Sequence, residues 1–156
     1  MSEHSIQGVE TKQLKWRKDD RGRLLEILRC NDEIFNGFGQ VYVTVVSPDV
    51  VKAWHYHKKQ DDSFVALAGK VRVGLCDARD GSPTKGKTAE YILSVDDPCV
   101  LVIPRGLWHG FECVGDKEAM VLNVPNMPYD YEHPDEFRLD PFKNDIPFKW
   151  NAKRGG

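Results

Sequence analysis

Apolar residues along the chain come in short runs rich in Val, Ile, Leu and Phe, not in helical stripes. The runs are Leu24 to Leu28, Val41 to Val46, Val50 to Trp54, Phe64 to Leu67, Val71 to Leu75, Tyr91 to Leu93, Val100 to Ile103 and Met120 to Leu122. Turn-forming stretches separate them, among them Asp20-Arg21-Gly22, Asn36-Gly37, Ser47-Pro48-Asp49, Ala68-Gly69-Lys70, Asp80-Gly81-Ser82-Pro83, Asp96-Asp97-Pro98 and Gly115-Asp116. Strands at roughly 8–12-residue spacing between Gly, Pro and Asp breaks predict an all-β sandwich or barrel. No window holds a 3.6-residue period for a useful length, so at most short helices are expected. The first ten residues and the polar stretch 151–156 read as loosely held. From Pro125 onward five prolines and many aromatics predict an extended segment laid over the domain surface. No repeat or linker divides the chain, which reads as a single domain, 1–156, with its core at about 18–150.

At 156 residues such a domain buries about two-thirds of its unfolded surface. Charged residues at 29% and hydrophobic ones at 40% are globular composition. The net charge of −2, from 22 basic and 24 acidic residues, argues against a nucleic-acid binder working through bulk charge, and no Lys/Arg block changes that. No apolar run approaches the roughly 18 residues that span a bilayer. Met1-Ser2-Glu3-His4-Ser5-Ile6-Gln7 lacks the basic start and apolar stretch of a signal peptide. Three of the four cysteines sit in or beside apolar runs and none forms a CxxC pair, which fits buried free thiols in a reducing cytoplasm.

The chemistry concentrates on histidine. His55 and His57 are two apart at the end of a predicted strand, so both side chains point to one face. Asp62 follows, then the turn glycine Gly69, and much later Pro104-Arg105-Gly106-Leu107-Trp108-His109. Two histidines of one strand, a carboxylate on the next strand of the hairpin and a histidine from a distant strand can converge inside a small barrel. Three imidazoles and a carboxylate suit zinc, nickel, iron or manganese. Taken alone, an H-x-H is equally well a pair of hydrogen-bonded strand histidines. His4 and His133 read as ordinary.

Read together, these stretches give H-x-H-x4-D-x6-G and P-x-G-x2-H, which resembles the two-part signature of the cupin superfamily, with Asp62 in place of the usual Glu and Cys113 in place of a later Asn. The resemblance implies a double-stranded β-helix. Four further stretches resemble the nucleotide-sugar 3,5-epimerases typified by dTDP-4-dehydrorhamnose 3,5-epimerase. They are Asp20-Arg21-Gly22-Arg23-Leu24-Leu25-Glu26, Gln40 at fifteen residues before His55, Asp77 to Gly86, and Ile103 to Phe111. That likeness implies a histidine base, His55, taking a proton beside the keto group of a 4-keto nucleotide sugar. It also implies Arg21, Gln40, Lys52 and Arg105 as substrate-binding candidates, the cationic ones toward a diphosphate, with a solvated surface charge as the plain alternative for each. The family's enolate-stabilising lysine aligns with Asp62 and its proton-donating tyrosine with Leu122, while the carboxylate that partners the histidine is expected to be missing.

The stretch His55 to Lys70 and the segment Asn126 to Phe137 resemble instead the metal-binding cupin domain of bifunctional capsule-polysaccharide reductases. This second likeness implies one divalent metal on His55, His57, Asp62 and His109, polarising the carbonyl as the missing lysine would. If His55 is a ligand, the base is another group: a metal-bound water, Tyr129 or Tyr131. Trp54, Trp108 and Phe111 flank the histidines and either stack on substrate or fill the barrel wall. Three readings result: a metal-assisted nucleotide-sugar epimerase or isomerase, another metal-dependent cupin enzyme such as a dioxygenase or small-sugar isomerase, and a non-catalytic sugar-binding cupin. A homodimer is expected, because the resembled family pairs through N-terminal strands and the run Val41 to Val46 leaves apolar surface to cover.

Overall fold

Alternation of side chains along each strand sorts the chain into two packed sheets. In the computed structural model, which describes residues 5–156, the strands are β1 (Glu10–Gln13), β2 (Arg17–Asp19), β3 (Gly22–Leu24), β4 (Tyr42–Val46), β5 (Val50–Tyr56), β6 (Asp62–Ala68), β7 (Lys70–Asp77), β8 (Thr88–Ser94), β9 (Cys99–Ile103), β10 (Leu107–Cys113), β11 (Ala119–Asn123), β12 (Phe137–Arg138) and β13 (Arg154–Gly155). His4 lies outside the described residues. One sheet runs β1-β9-β6-β11-β4; the facing sheet runs β12-β5-β10-β7-β8, with β13 added along β5; β2 and β3 form a separate hairpin. This is the expected all-β jelly roll. The few short helices allowed for are absent among the described residues.

Inward positions at every second residue fill the barrel: Val71, Val73 and Leu75 of β7, Phe64 and Ala66 of β6, Leu101 and Ile103 of β9, Leu107 and Phe111 of β10. Burying each large apolar side chain contributes about 1.5–3 kcal/mol. Val65, Val100 and Val102 face the other way and are covered by Leu25, Ile27 and Ile34. The run Leu24 to Leu28 is therefore a flap and not a strand: only Leu24 closes β3.

Among the described residues, 5–10 and 151–156 correct the reading of loose termini. Ile6 is buried in the barrel core and β1 pairs with β9. At the other end Trp150 and Ala152 pack on Val51, Ala53 and Trp54, and the Asn151 and Ala152 N–H groups donate to Glu112 Oε2 at 2.8 and 2.7 Å. A few apolar anchors hold these segments, and a mostly polar composition hid them. The segment after Pro125 does lie over the surface and returns to the sheet at β12.

One irregularity positions the site. In the β5–β10 ladder His109 faces His55 but Phe111 faces Lys52, so β5 carries an extra residue opposite Gly110. Ala53 and Trp54 consequently both face outward into the aromatic cluster, while Lys52 and His55, three apart, both face inward. Gly110 makes the bulge possible: a Cβ there would lie 2.2 Å from that of Ala53.

Candidate functional site

The polar ends of the inward-facing rows meet in a cavity of about 260 Å³, lined by His55, His57 and His109, by Asp62, Asn123 and Tyr42, and by Lys52, Thr44, Phe64, Phe111 and Arg138. Asp62 reaches it from the opposite sheet, since β6 pairs with β9 and β11 and not with β5. The expected hairpin partner is thus a partner across the barrel, which puts the carboxylate in front of the imidazoles instead of beside them.

Asp62 Oδ2 lies 3.3 Å from His57 Nε2 and 3.1 Å from His109 Nε2. Its Oδ1 accepts from Gln60 Nε2 at 2.8 Å and from Asn123 Nδ2 at 2.9 Å. Burial opposes ionisation of Asp62, but the two facing imidazoles outweigh it and hold the carboxyl well below the usual range. The other ring nitrogens are fixed by carbonyls: His57 Nδ1 donates to Asp135 O, and His109 Nδ1 to Leu107 O at 3.1 Å. A carbonyl only accepts, so each Nδ1 carries a proton; Nε2 then faces Asp62, donating to the carboxylate while the ring is protonated and offering a lone pair once that proton leaves. Two such lone pairs and a carboxylate oxygen, all within 4.8 Å of one another, are the donor set of a divalent cation, with ring orientation already fixed from behind. His57, Asp62 and His109 fit a metal.

His55 does not join them. Its Nδ1 lies 3.1 Å from Glu136 Oε1, and its ring centroid is 6.2 Å from that of His109. Burial, aided by the charge of His109, pushes His55 down to about 4. The ring is neutral at pH 7; with Nδ1–H donated to Glu136, Nε2 faces the cavity as an acceptor. Glu136, in turn salt-bridged to Arg138 at 3.2 Å, gives His55 a carboxylate neighbour where none was expected. It sits on the segment before β12, which Asp135 clamps by accepting the backbone N–H groups of Lys58, Lys59 and Gln60 at 2.9, 2.8 and 3.1 Å.

The substrate-binding candidates scatter. Lys52 lines the cavity. Gln40 lines an adjoining depression with Tyr129 and Tyr131, its Oε1 accepting the Tyr129 N–H at 3.1 Å. Arg105 is outside the cavity, salt-bridged to Asp61 at 3.0 Å, where it fastens the loop before β10. Arg21 is exposed in the β2–β3 turn, paired with Asp19 at 2.6 Å. Trp54 and Trp108 are wall, Trp54 buried under Trp150 and Trp108 against Tyr56, while Phe111 floors the cavity. Leu122 points outward into the covered face of β11, so its neighbour Asn123 holds the cavity position. Sequence reasoning missed Tyr42, Asn123, Glu136 and Arg138. Alternation along β4 and β11 could have found the first two; nothing local marks the others.

A jelly roll with an imidazole–carboxylate cluster at the mouth of its barrel defines the cupin class. Comparison with known proteins narrows it. Residues 3–154 match the dTDP-4-dehydrorhamnose 3,5-epimerase family, and the chain belongs to that family. It is thereby an isomerase, an epimerase of nucleotide sugars. It is 37% identical over 95% of its length, and 98% of the other, to the spore coat polysaccharide biosynthesis protein SpsL of Bacillus subtilis. It is 39% identical, over 97% of the chain and 99% of the relative, to a protein of Haloferax volcanii named "probable low-salt glycan biosynthesis epimerase". The solved dTDP sugar isomerase of Desulfovibrio desulfuricans superposes with a TM-score of 0.88 at 31% identity, covering 96% of this chain and 94% of that one.

Proposed function

We propose that the chain epimerises a 4-keto sugar nucleotide destined for a surface polysaccharide or glycan, with His55 as the base and a divalent metal held by His57, Asp62 and His109. The observation that carries this reading is the division of the three histidines: two back onto carbonyls and face Asp62, and one backs onto Glu136 and faces open cavity. His55 Nε2 takes the proton beside the keto group; Glu136 holds the ring in the tautomer that allows it. Lys52 and Arg138 supply positive charge to the substrate's anionic part. The metal, when bound, supplies electrophilic stabilisation of the enolate oxygen.

We also read the chain as a homodimer in the cytoplasm. β4 is an edge strand with Val41, Val43 and Val45 exposed on its outer side, and Cys30, Cys76, Cys99 and Cys113 are all free. Light scattering should give twice the chain mass of 17.8 kDa.

The test pairs elemental analysis with deuterium wash-in on a dTDP-linked 4-keto-6-deoxyhexose. His57→Ala should lose both metal and exchange. His55→Asn should keep the metal and lose exchange by at least about 10²-fold. Exchange surviving His55→Asn would refute the base assignment; a wild type without stoichiometric metal would refute the metal.

A further inference from the structure

Inverting a carbon beside a ketone takes two proton-carrying groups on opposite faces of the planar enolate, one to remove the proton and one to return it. His55 occupies one side of the cavity, on β5. The other side is the facing sheet, whose inward side chains at the mouth are Tyr42, Thr44, Asp62 and Asn123. Both oxygens of Asp62 are already engaged, Oδ2 against the His57 and His109 rings and Oδ1 accepting from Gln60 and Asn123. An aliphatic hydroxyl or an amide is too weak an acid for the task. That leaves the phenol of Tyr42.

Its surroundings suit a donor. Tyr42 and Asn123 are direct cross-strand partners on β4 and β11. Asn123 Nδ2 donates to the Tyr42 hydroxyl oxygen at 2.9 Å and also to Asp62 Oδ1 at 2.9 Å, which fixes the phenol relative to the cluster. With its oxygen accepting from Asn123, the phenol keeps its own O–H for the cavity. Burial, reinforced by the charge of Asp62, pushes Tyr42 up to about 12, so the proton is in place at neutral pH. The same Asn123 N–H stabilises the phenolate once the proton has left. A tyrosine sought at Leu122 is thus absent from β11, but the strand beside it brings one to the same part of the barrel.

We propose that Tyr42 is the proton donor of the epimerisation, acting on the face opposite His55; the assignment rests on the epimerase reading above. His55 Nε2 takes the proton as the C–H electron pair moves into the enolate. The enolate carbon then forms a bond to the Tyr42 proton on its other face, leaving a phenolate. The phenolate regains a proton from water and the imidazolium releases one to water, so nothing is consumed.

Tyr42→Phe separates the two half-steps. In D2O, with dTDP- and UDP-linked 4-keto-6-deoxyhexoses, wild type should give an epimer carrying deuterium at the inverted carbon. Tyr42→Phe, which keeps the ring and should keep the melting temperature, should lose epimer formation by at least about 10²-fold. It should still wash deuterium into recovered substrate at a rate within a few-fold of wild type, because His55 returns a deuteron to the face it came from. Epimer formed by Tyr42→Phe at the wild-type rate would overturn the assignment, as would parallel loss of wash-in and epimer in a folded variant. A wild type that washes in no deuterium from either sugar would overturn the epimerase reading itself, and the assignment with it.

Discussion

Two of the carboxylates buried in this fold, Asp62 facing the cavity and Glu112 on the outer side of the opposite sheet, have surroundings that differ in kind. Glu112, on the outward face of β10, accepts from Arg72 Nε at 2.6 Å and from two backbone N–H groups of the tail. Arg72 itself lies over the Phe148 ring at 4.8 Å and pairs with Glu90 at 2.7 Å. Every donor there is permanently charged or permanently protonated, and the site is closed. Asp62 has equally good contacts, but two of its four partners are imidazoles whose protons come and go, and one side opens to the cavity. A carboxylate that only holds the fold is met by groups that cannot change state. Asp62 is met by groups that can, the arrangement that chemistry requires.

The comparison breaks most visibly at Glu112. Glu112→Gln leaves Arg72 short of its main partner and the tail short of its anchor, so unfolding free energy should fall by about 3–5 kcal/mol in a denaturant titration. Turnover per folded molecule should remain, provided the tail stays docked. Asp62→Asn should do the reverse: exchange down by about 10²-fold or more and metal lost, with the melting temperature moved less than in Glu112→Gln. Equal damage to stability from both variants would erase the distinction. A smaller effect is expected at Glu136, which touches His55 and not the substrate. Glu136→Gln should lower kcat by about 10–100-fold with little change in KM, and, because the Glu136 charge raises His55, should move the acid limb of the pH profile to lower pH.

The mildest prediction sharpens the rule with another buried carboxylate. Asp77 accepts from Arg79 and from the hydroxyls of Ser82 and Thr84. Burial alone would raise it, but these donors hold it well below the usual range. A carboxyl depressed in the folded state adds stability that is present above its unfolded value of about 3.9 and is lost as pH falls below it. Asp77→Asn should therefore cost about 1–3 kcal/mol at pH 7, and the gap to wild type in thermal melts should narrow below about pH 4.

Much of this was legible in the chain. Short apolar runs between turn signals announced the barrel, and His55, His57, Asp62 and His109 do share one cavity. What failed were statements that needed the third dimension. Asp62 looked like a hairpin neighbour because it follows His57 closely, but the chain crosses to the other sheet between them. His55 looked like a ligand because i and i+2 share a face. Sharing a face fixes direction only, and Glu136, eighty-one residues on, decides where the ring is tied. Counting to Leu122 put a side chain on the wrong face of β11 by one residue, which in a strand is the whole difference between cavity and outside.

The order of these pieces along the chain has a consequence for how the protein is made. Every strand from β1 to β11 precedes residues 135–138, so the segment bearing Glu136 and Arg138 is made after the strands that carry His57, Asp62 and His109. Asp135 then locks onto the backbone of residues 58–60, and the same step delivers Glu136 to His55. Until that docking occurs neither the His57 ring, which Asp135 O also holds, nor the His55 ring is fixed, so the arrangement of the three histidines is completed by a segment made after the barrel strands.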